Sequence, residues 1–354
     1  MLPGNSRDPK PNPHVAAPFF AEIESAFLEV QKCGAVQLGH YRLAGQTVQM
    51  EVVGDELARH MLAPFSHLKT HDQPPALRVC LWDAKQTGVD CPEGLPTEFR
   101  SDEWGSVSQS FAYGYERRYV EYRSRAGTTW LDRASNCLYG CYDDAGQFNI
   151  YDYSRPLPWL LPIWCNDLGV QSVHAGMVSW KGSGVVIVGA SGSGKTTTTL
   201  ACLDGGFDYL GEDQIGIGEN EGGFTGFSFY NTARVDAKHL QRFPQLSPYA
   251  RHESEQKTLL MLGELFASQL VGEAPLKMIV LPKVMPSEKT RIQPATSAEA
   301  LRAVAANSLM LPIGGGRRGF ERLARLVRQV PCYWLHLGHD FERVSEVIKG
   351  ALPL

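Results

Sequence analysis

One eight-residue segment of the chain, Gly189–Thr196, has the residue types and spacing of a phosphate-binding loop. It reads GASGSGKT and fits the pattern G-x-x-x-x-G-K-[ST] at each fixed position. In such a loop the backbone turns tightly, so its N–H groups and the positive end of the following helix face phosphate oxygens. Lys195 is a mobile cation that can reach the β- and γ-phosphates. The Thr196 hydroxyl is a suitable ligand for Mg²⁺.

The sequence therefore predicts a site for a nucleoside triphosphate, taken to be ATP, together with Mg²⁺. A dinucleotide-binding loop is the other glycine-rich possibility, but GASGSG does not fit G-x-G-x-x-G and the lysine is foreign to that motif. The residues predicted to bind the nucleotide in this segment are Gly189, Ser191, Gly192, Ser193, Gly194, Lys195, Thr196 and Thr197.

Two adjacent carboxylates, Glu212 and Asp213, follow the next predicted strand after the loop. Phosphoryl transfer needs an acid that helps to hold the metal and a group that orients or deprotonates the nucleophile. An adjacent pair can divide these tasks, and the alternative is an acidic turn with no catalytic part. His174, in the segment SVHAGMV, would lie at the edge of the phosphate site if residues 171–180 pair with 184–188 as a hairpin. A purely structural histidine is the alternative there.

The elements around these residues follow the order of an α/β nucleotide-binding unit. Val185–Val188 is a short β-branched run typical of a buried parallel strand. A helix should follow the loop to about residue 203 and end at Gly205 and Gly206, and Phe207–Leu210 should be the next strand. Further predicted elements are strands at 214–218, 277–281 and 331–336 and amphipathic helices near 317–329 and 340–352.

The first half of the chain has the pattern of a smaller α+β unit. Helical spacing covers residues 19–33, alternation predicts a strand pair at 41–53, and shorter strands are predicted at 77–82, 119–122 and 128–131. The segment 155–170, in which prolines flank a short apolar helix, is typical of a boundary. We therefore expect a flexible tail at 1–17, an α+β N-terminal domain at 18–155 that could bind substrate, and a P-loop kinase domain at 156–354.

Composition and charge exclude several functional classes. The net charge of -4 gives no overall attraction to nucleic acid or to an anionic membrane. No apolar run approaches the roughly 20 residues that span a bilayer, and the polar, proline-rich start lacks the order of a signal peptide. A cytoplasmic location is expected, with the eight cysteines as reduced thiols. Cys137 and Cys141 have a spacing that could hold a metal, but no second pair stands nearby.

The P-loop, His174 and the acid pair together resemble the HPr kinase/phosphorylase superfamily, in its serine-kinase-like branch. Its catalytic domain is related to the phosphoenolpyruvate carboxykinase fold. His174 precedes Gly189 by fifteen positions, and Glu212 and Asp213 follow Lys195 by seventeen and eighteen, which is similar to that family's spacing. The segments FYNTARV, EQKTLLML and VPCYWLHLGHD are also similar to the branch. The resemblance covers residues 165–354 well and the first half only weakly.

The resemblance implies a C-terminal HPr-kinase-like P-loop domain with a mixed sheet, preceded by a smaller α+β domain. It also implies that His174 and Glu212 activate the acceptor hydroxyl, that Asp213 is linked to the metal, and that Arg234 and Lys257 face phosphates. Two features depart from the family. Glu212 stands where the family has Asp, and the Glu-x-Arg-Gly loop is not evident, so neither HPr itself nor the phosphorylase reaction is carried over.

The leading hypothesis is thus an ATP-dependent kinase that transfers the γ-phosphate to a hydroxyl, with a serine of a peptide or small protein as acceptor. In this hypothesis His174, Lys195, Glu212 and Asp213 are catalytic, and Thr196 and Asp213 hold the metal. The loop Gly314–Arg318 and the N-terminal domain would shape the choice of acceptor. A small-molecule kinase, a nucleotide-binding regulatory or scaffold ATPase, and more weakly a carboxykinase are the alternatives. The oligomeric state is open, a homo-oligomer included.

Overall fold

The computed structural model describes residues 13–95, 100–106, 109–114, 117–253, 257–308 and 316–353. It is a mixed α/β fold that divides into two compact units. Within the described residues, the first unit takes 13–39, 48–60 and 74–148, and the second takes 40–47, 61–73 and 149–353. In this part of the chain, no helix has the length and apolar character needed to cross a bilayer.

The described helices and strands have the following bounds. The helices are α1 Pro13–Cys33, α2 Asp55–Leu62, α3 Ala84–Thr87, α4 Ile150–Ser154, α5 Leu160–Asp167, α6 Lys195–Asp204, α7 Ala237–Leu240, α8 Ser297–Ser308, α9 Gly316–Gln329 and α10 Val344–Ala351. The strands are β1 Val36–Leu43, β2 Gln46–Val53, β3 Leu77–Asp83, β4 Arg100–Ser106, β5 Gln109–Gly114, β6 Tyr119–Arg123, β7 Gly127–Asp132, β8 Cys137–Tyr142, β9 Val170–Val173, β10 Gly176–Trp180, β11 Ser183–Ile187, β12 Asp208–Gly211, β13 Ile215–Asn220, β14 Gly223–Ser228, β15 Thr232–Asp236, β16 Ala250–Glu253, β17 Lys257–Met261, β18 Glu273–Val284, β19 Arg291–Pro294 and β20 Cys332–Leu337.

An eight-stranded sheet has the order β1-β2-β3-β8-β7-β6-β5-β4, and most of its residues belong to the first unit. Strand β3 pairs in parallel with β2 and with β8, whereas β4 to β8 are joined by antiparallel pairs. Helix α1 supplies apolar side chains three and four positions apart, the spacing that lines one helix face. They pack on aromatic residues of the sheet: Phe20 stacks on Tyr119 with ring centroids 4.5 Å apart, and Phe27 lies 6.1 Å from Trp82.

The N-terminal segment and the cysteines differ from the sequence-based expectations. Helix α1 begins at Pro13, inside the segment predicted as a tail, while residues 1–12 lie outside the described residues. Cys91 and Cys141 form a disulfide, with Cα atoms 5.4 Å apart, so the expectation of eight reduced thiols was wrong for this pair. The two cysteines are separated by 50 positions, and a pairing at such a distance depends on tertiary structure. Cys141 is therefore not available for the metal site considered with Cys137.

The second unit is organised on a nine-stranded mixed sheet. Its main path runs β12-β10-β11-β18-β14-β13-β9, with β20 beside β18 and β19 beside β20. The hairpin considered for residues 171–180 and 184–188 is present in part: β10 pairs antiparallel with β11 from Gly176 opposite Ile187 to Trp180 opposite Ser183, whereas β9 is a separate strand that pairs with β13. On its other side β11 pairs in parallel with β18. A separate three-stranded sheet has the order β15-β17-β16.

Both faces of this sheet are buried, which explains the continuous apolar run of the strand before the loop. Val185 and Ile187 belong to one apolar cluster with residues of α6 and α10. Val186 and Val188 alternate to the other face, in a cluster with α8 and α9. The P-loop therefore leaves the sheet from a strand that is fixed on both sides.

The long C-terminal stretch of the second unit begins at Asn149, a few residues before the expected boundary at 155/156, and two earlier segments, 40–47 and 61–73, also belong to this unit. Its segment 61–73 is fixed by side-chain hydrogen bonds, since Asn231 Nδ2 donates to Ala63 O at 3.1 Å and to Ser66 Oγ at 2.8 Å. Helix α8 was not predicted. Its sequence, SAEALRAVAANS, has mostly alanine on its apolar face and so carries a weak periodic signal.

Candidate active site

The predicted phosphate-binding loop lies between β11 and α6, and two of its glycines have left-handed backbone angles. Gly192 has φ +76° and Gly194 has φ +103°. A Cβ atom on Gly194 would also lie 2.5 Å from Leu337 Cδ1, so this position excludes larger residues for two reasons. Helix α6 starts directly afterwards at Lys195, and the positive end of a ten-residue helix is thus aimed at the loop.

Lys195 is folded back onto the loop. Its Nζ donates hydrogen bonds to Gly189 O at 2.9 Å and to Ala190 O at 3.1 Å, and the side chain is buried. Burial lowers the pKa of the Lys195 ammonium, against the opposing charges of Glu212 and Asp213. The positive charge of Lys257 lowers this pKa further.

Glu212 lies against the first turn of α6. The Thr196 hydroxyl donates a hydrogen bond to Glu212 Oε1 at 2.5 Å, and the Arg234 backbone N–H donates to Oε2 at 3.4 Å. Burial raises the pKa of Glu212, and the negative charge of Asp213 adds to this rise. The bonds from Thr196 and the charge of Arg234 act in the opposite direction. An acid held in this way can change its protonation when a cation arrives.

The oxygen atoms of Thr196 and Glu212 fit the preference of Mg²⁺ for hard ligands. Among the described residues, no three His, Cys, Asp or Glu side chains form a cluster suited to a metal ion. A Mg²⁺ ion at this place would therefore need phosphate oxygens as further ligands, which is how proteins usually bind Mg²⁺ with a nucleotide.

Asp213, in contrast, is surrounded by basic side chains. Its Oδ2 forms ion pairs with Arg155 at 3.0 Å and with Arg234, and its Oδ1 lies 3.0 Å from His174 Nδ1. Burial alone would raise the pKa of Asp213, but the charge of Arg155 and the hydrogen bond from His174 outweigh it. With the charge of Arg234 they hold this pKa well below its usual range. Asp213 also has φ +73°, a left-handed backbone angle.

The structure thus brings together His174, Lys195, Thr196 and the acid pair, but their contacts divide differently from the sequence-based prediction. The sequence assigned the metal to Asp213 and proton transfer to Glu212. In the structure Glu212 is the acid beside the Thr196 hydroxyl, whereas both oxygens of Asp213 contact basic groups. Adjacent positions on a chain point in different directions, and the sequence spacing does not show which of them turns toward the loop.

Arg155 is a site residue that sequence reasoning missed. It follows α4, which a capping box begins: the Asn149 side chain accepts from Asp152 N, and the Asp152 side chain accepts from Asn149 N. Two hydrogen bonds hold the chain on either side of Arg155. Thr232 Oγ1 donates to Ser154 O, the end of α4, at 2.6 Å, and the Tyr230 hydroxyl donates to a carbonyl in the segment that follows. This segment was interpreted only as a domain boundary, and no motif marks its arginine.

The two basic residues expected to face phosphates lie on the three-stranded sheet. Arg234 is on β15 and Lys257 on the adjacent β17. The Arg234 guanidinium lies over the Tyr151 ring, 4.7 Å from its centroid, and the tyrosine itself is 54% exposed. Arg234 is therefore fixed between an aromatic face and Asp213, at the open side of the site.

The remaining predicted residues take varied positions. The Ser193 backbone N–H donates to Ala190 O at 3.2 Å, and Thr197 is buried in α6, while Ser191 is exposed. Of the loop proposed to influence acceptor choice, residues 314 and 315 lie outside the described residues, and Gly316–Arg318 form the start of α9.

A cavity of about 600 Å³ opens beside the loop. Its walls are loop residues 188–193, residues 281–284 at the end of β18, one face of α8, and Trp334 of β20. Cavities of this size are in the range of small-molecule sites.

Comparison with known proteins adds little about function. No protein-family model matches the chain, and no curated protein sequence matches it. The HPr(Ser) kinase/phosphatase from Coxiella burnetii is a weak structural neighbour. The alignment covers 51% of this chain and 95% of that chain, with 11% sequence identity and a TM-score of 0.29. These values are compatible with a distant relationship at most and carry no argument about activity.

Proposed function

We propose that the protein is an ATP-dependent phosphotransferase that moves the γ-phosphate to a hydroxyl group. The observation that carries this proposal is the hydrogen bond from Thr196 to Glu212, because it joins the acid pair to a P-loop of complete pattern. A loop that only binds nucleotide has no need of a second carboxylate held ionised beside a histidine.

The contacts support a division of tasks between the two acids. Thr196 and Glu212 would hold Mg²⁺, which when bound neutralises charge on the phosphates. Asp213 stays ionised, and its Oδ1 lies 3.0 Å from His174 Nδ1, so the carboxylate orients the ring and leaves Nε2 as the nitrogen that can face an acceptor. His174 Nε2 is then a base for the proton of the acceptor hydroxyl, with Asp213 as its orienting partner.

Positive charge surrounds the place where the phosphoryl group would move. Lys195 lies within the loop, and Arg155 and Arg234 are held beside it by Asp213. Transfer spreads negative charge over the phosphoryl oxygens, and fixed cations stabilise that charge without reorganisation. Arg155 and Arg234 are therefore assigned to the transition state and Lys195 to the phosphates of the bound nucleotide.

The acceptor proposed is a serine of a peptide or small protein, on the resemblance of the sequence motifs. A small molecule with a hydroxyl is the close variant. A regulatory ATPase with little transfer activity is the second candidate function, favoured by the glutamate at position 212 in place of the family's aspartate.

The test is transfer of label from γ-labelled ATP in the presence of Mg²⁺ to a size-fractionated extract of peptides, proteins and metabolites. A kinase labels an acceptor, and Asp213→Asn loses this transfer by about 10²-fold or more while retaining ATP binding. Glu221→Gln, at an exposed turn, is the matched control and should keep full activity. Phosphate release that is equal with and without every acceptor fraction would contradict the kinase proposal and support the ATPase.

A further inference from the structure

The cavity beside the P-loop has walls of two kinds. One wall is the loop itself, residues 188–193, whose backbone N–H groups are the predicted phosphate ligands. The rest of the lining includes four apolar residues, Leu281, Pro282, Ala303 and Trp334, together with the cations Lys283 and Arg302 and the Glu299 carboxylate. A molecule that fills the cavity thus contacts both the phosphate loop and apolar side chains.

The residues that line the cavity indicate which substrate of a phosphotransferase, the phosphate donor or the hydroxyl acceptor, it would hold. Within the described part of the chain, Glu212, Asp213 and His174 are not among the residues that line the cavity. An acceptor hydroxyl must come within hydrogen-bond distance of its base, so an acceptor held in this cavity would be remote from the catalytic groups. The nucleoside of the donor is far from the transferred phosphoryl group, so it does not need to lie near the catalytic base.

A hydrogen bond fixes Trp334 in the lining of the cavity. Its indole N–H donates to the Glu299 carboxylate, which also accepts from Thr296 N at 2.8 Å and Thr296 Oγ1 at 2.7 Å. Because these bonds fix the indole at the start of α8, the ring loses little freedom when a flat ligand stacks on it. In nucleic-acid complexes, removal of an aromatic ring that stacks on a base weakens binding by about fivefold to a hundredfold.

We propose that this cavity binds the nucleoside part of the donor nucleotide, with the base against Trp334 and Pro282 and the sugar toward Arg302 and Lys283. The inference rests on the proposed function, since it assumes that the triphosphate occupies the P-loop. It goes further by assigning the nucleoside to the α8 side of the loop and the acceptor to the side of His174 and Asp213. The apolar lining, the volume and the fixed indole are those of a nucleoside site.

The experiment compares two ligands that share the phosphates and differ in the nucleoside: MgATP and magnesium tripolyphosphate. Their dissociation constants are measured by calorimetry for the wild-type chain, Trp334→Ala, and Ala303→Phe, which fills the cavity. Both variants should weaken ATP by about tenfold or more and change tripolyphosphate by less than about twofold. Ala305→Phe, on the same helix but not in the lining, should leave both ligands unaffected.

The outcomes separate the two proposals. If Trp334→Ala and Ala303→Phe bind ATP as tightly as the wild type does, the nucleoside lies elsewhere and the inference is overturned, while the P-loop assignment stands. If both ligands weaken equally in these variants, the cavity holds phosphate and the inference is again overturned. If the wild type binds neither ligand, or Lys195→Ala binds both unchanged, the proposed function itself is wrong.

Discussion

The Thr196 hydroxyl donates a hydrogen bond to the Glu212 carboxylate at 2.5 Å, linking the end of the P-loop to the end of β12. Strand β12 is at the margin of the sheet and is separated from the P-loop strand by β10. Because β10 is antiparallel to both neighbours, β11 and β12 run in the same direction and finish at the same edge. The site is therefore a consequence of strand order, and the following predictions test its parts.

Glu212 should make nucleotide binding depend on pH. Burial raises the pKa of Glu212 in the free protein, whereas a bound cation favours the ionised form. Binding of MgATP should therefore release protons, and its affinity should fall as pH is lowered through the raised pKa. Calorimetry in two buffers of different ionisation enthalpy measures the released protons. Glu212→Gln should abolish the release and weaken MgATP, whereas Glu273→Gln, on an exposed part of β18, should preserve both.

Asp213 should stabilise the fold by balancing the buried Arg234 and the partly buried Arg155. Asp213→Ala leaves Arg155 and Arg234 without this carboxylate, and loss of one partner of a buried pair costs about 3–5 kcal/mol. The pKa of Asp213 is depressed in the folded state, so its contribution is complete above the ordinary aspartate pKa of about 3.9 and is lost as pH falls further.

Urea unfolding at pH 7 and at pH 3 measures this difference. The gap between wild type and Asp213→Ala should be large at pH 7 and smaller at pH 3. Glu221→Ala should show no gap at either pH. A gap that grows on acidification would reverse the expected sign and exclude the charge-balance explanation.

Gly194→Ala should damage the loop by two separable effects. The left-handed backbone angle is strained for alanine by about 1–3 kcal/mol, and the added Cβ meets Leu337. We expect weaker MgATP binding and a lower free energy of unfolding. Adding Leu337→Ala relieves the contact but not the strained angle. Once the effect of Leu337→Ala alone is subtracted, the double variant should therefore regain only part of the ATP affinity that Gly194→Ala loses. Gly222→Ala is the control, because this exposed turn position would place the added Cβ at an ordinary contact distance of 3.5 Å from Asn220 Oδ1.

The Cys91–Cys141 bond should stabilise the first unit. It closes a loop of 50 residues, and cross-links of this kind contribute about 2–4 kcal/mol. Cys91→Ser should lower the melting temperature of the oxidised protein, and addition of a reductant should lower the wild type to the same value. Cys33→Ser removes an exposed free thiol and should change neither. Identical melting of oxidised wild type and Cys91→Ser would show that the bond contributes no stability.

The central elements of the second unit followed from the sequence because their signals are local. The β-branched run before the loop, the P-loop pattern and the glycines after α6 each specify a backbone conformation within a few residues. The predicted β10–β11 hairpin and the strands later seen as β12, β13, β18 and β20 agree with the structure. The mixed α/β class is confirmed for the same reason.

Most of the features that the sequence does not predict depend on contacts between positions far apart in the chain. Arg155 reaches Asp213 across 58 positions, and a lone arginine after a short helix has no pattern that predicts this. The Cys91–Cys141 disulfide also depends on tertiary structure. So does the choice of which acid, Glu212 or Asp213, contacts the Thr196 hydroxyl. Helix α8 was missed because alanine, its main apolar residue, gives little contrast in hydrophobicity between its two faces.

The basic groups around the acid pair also affect how quickly a nucleotide arrives. The chain as a whole is acidic, with a net charge of -4, but its site combines four cations, Arg155, Lys195, Arg234 and Lys257, with two carboxylates. A local excess of positive charge inside an otherwise negative surface focuses the electric field on the loop and speeds the encounter with a polyanion. The association rate of MgATP should therefore fall with ionic strength, as it does for basic proteins, and the overall charge gives no hint of this behaviour.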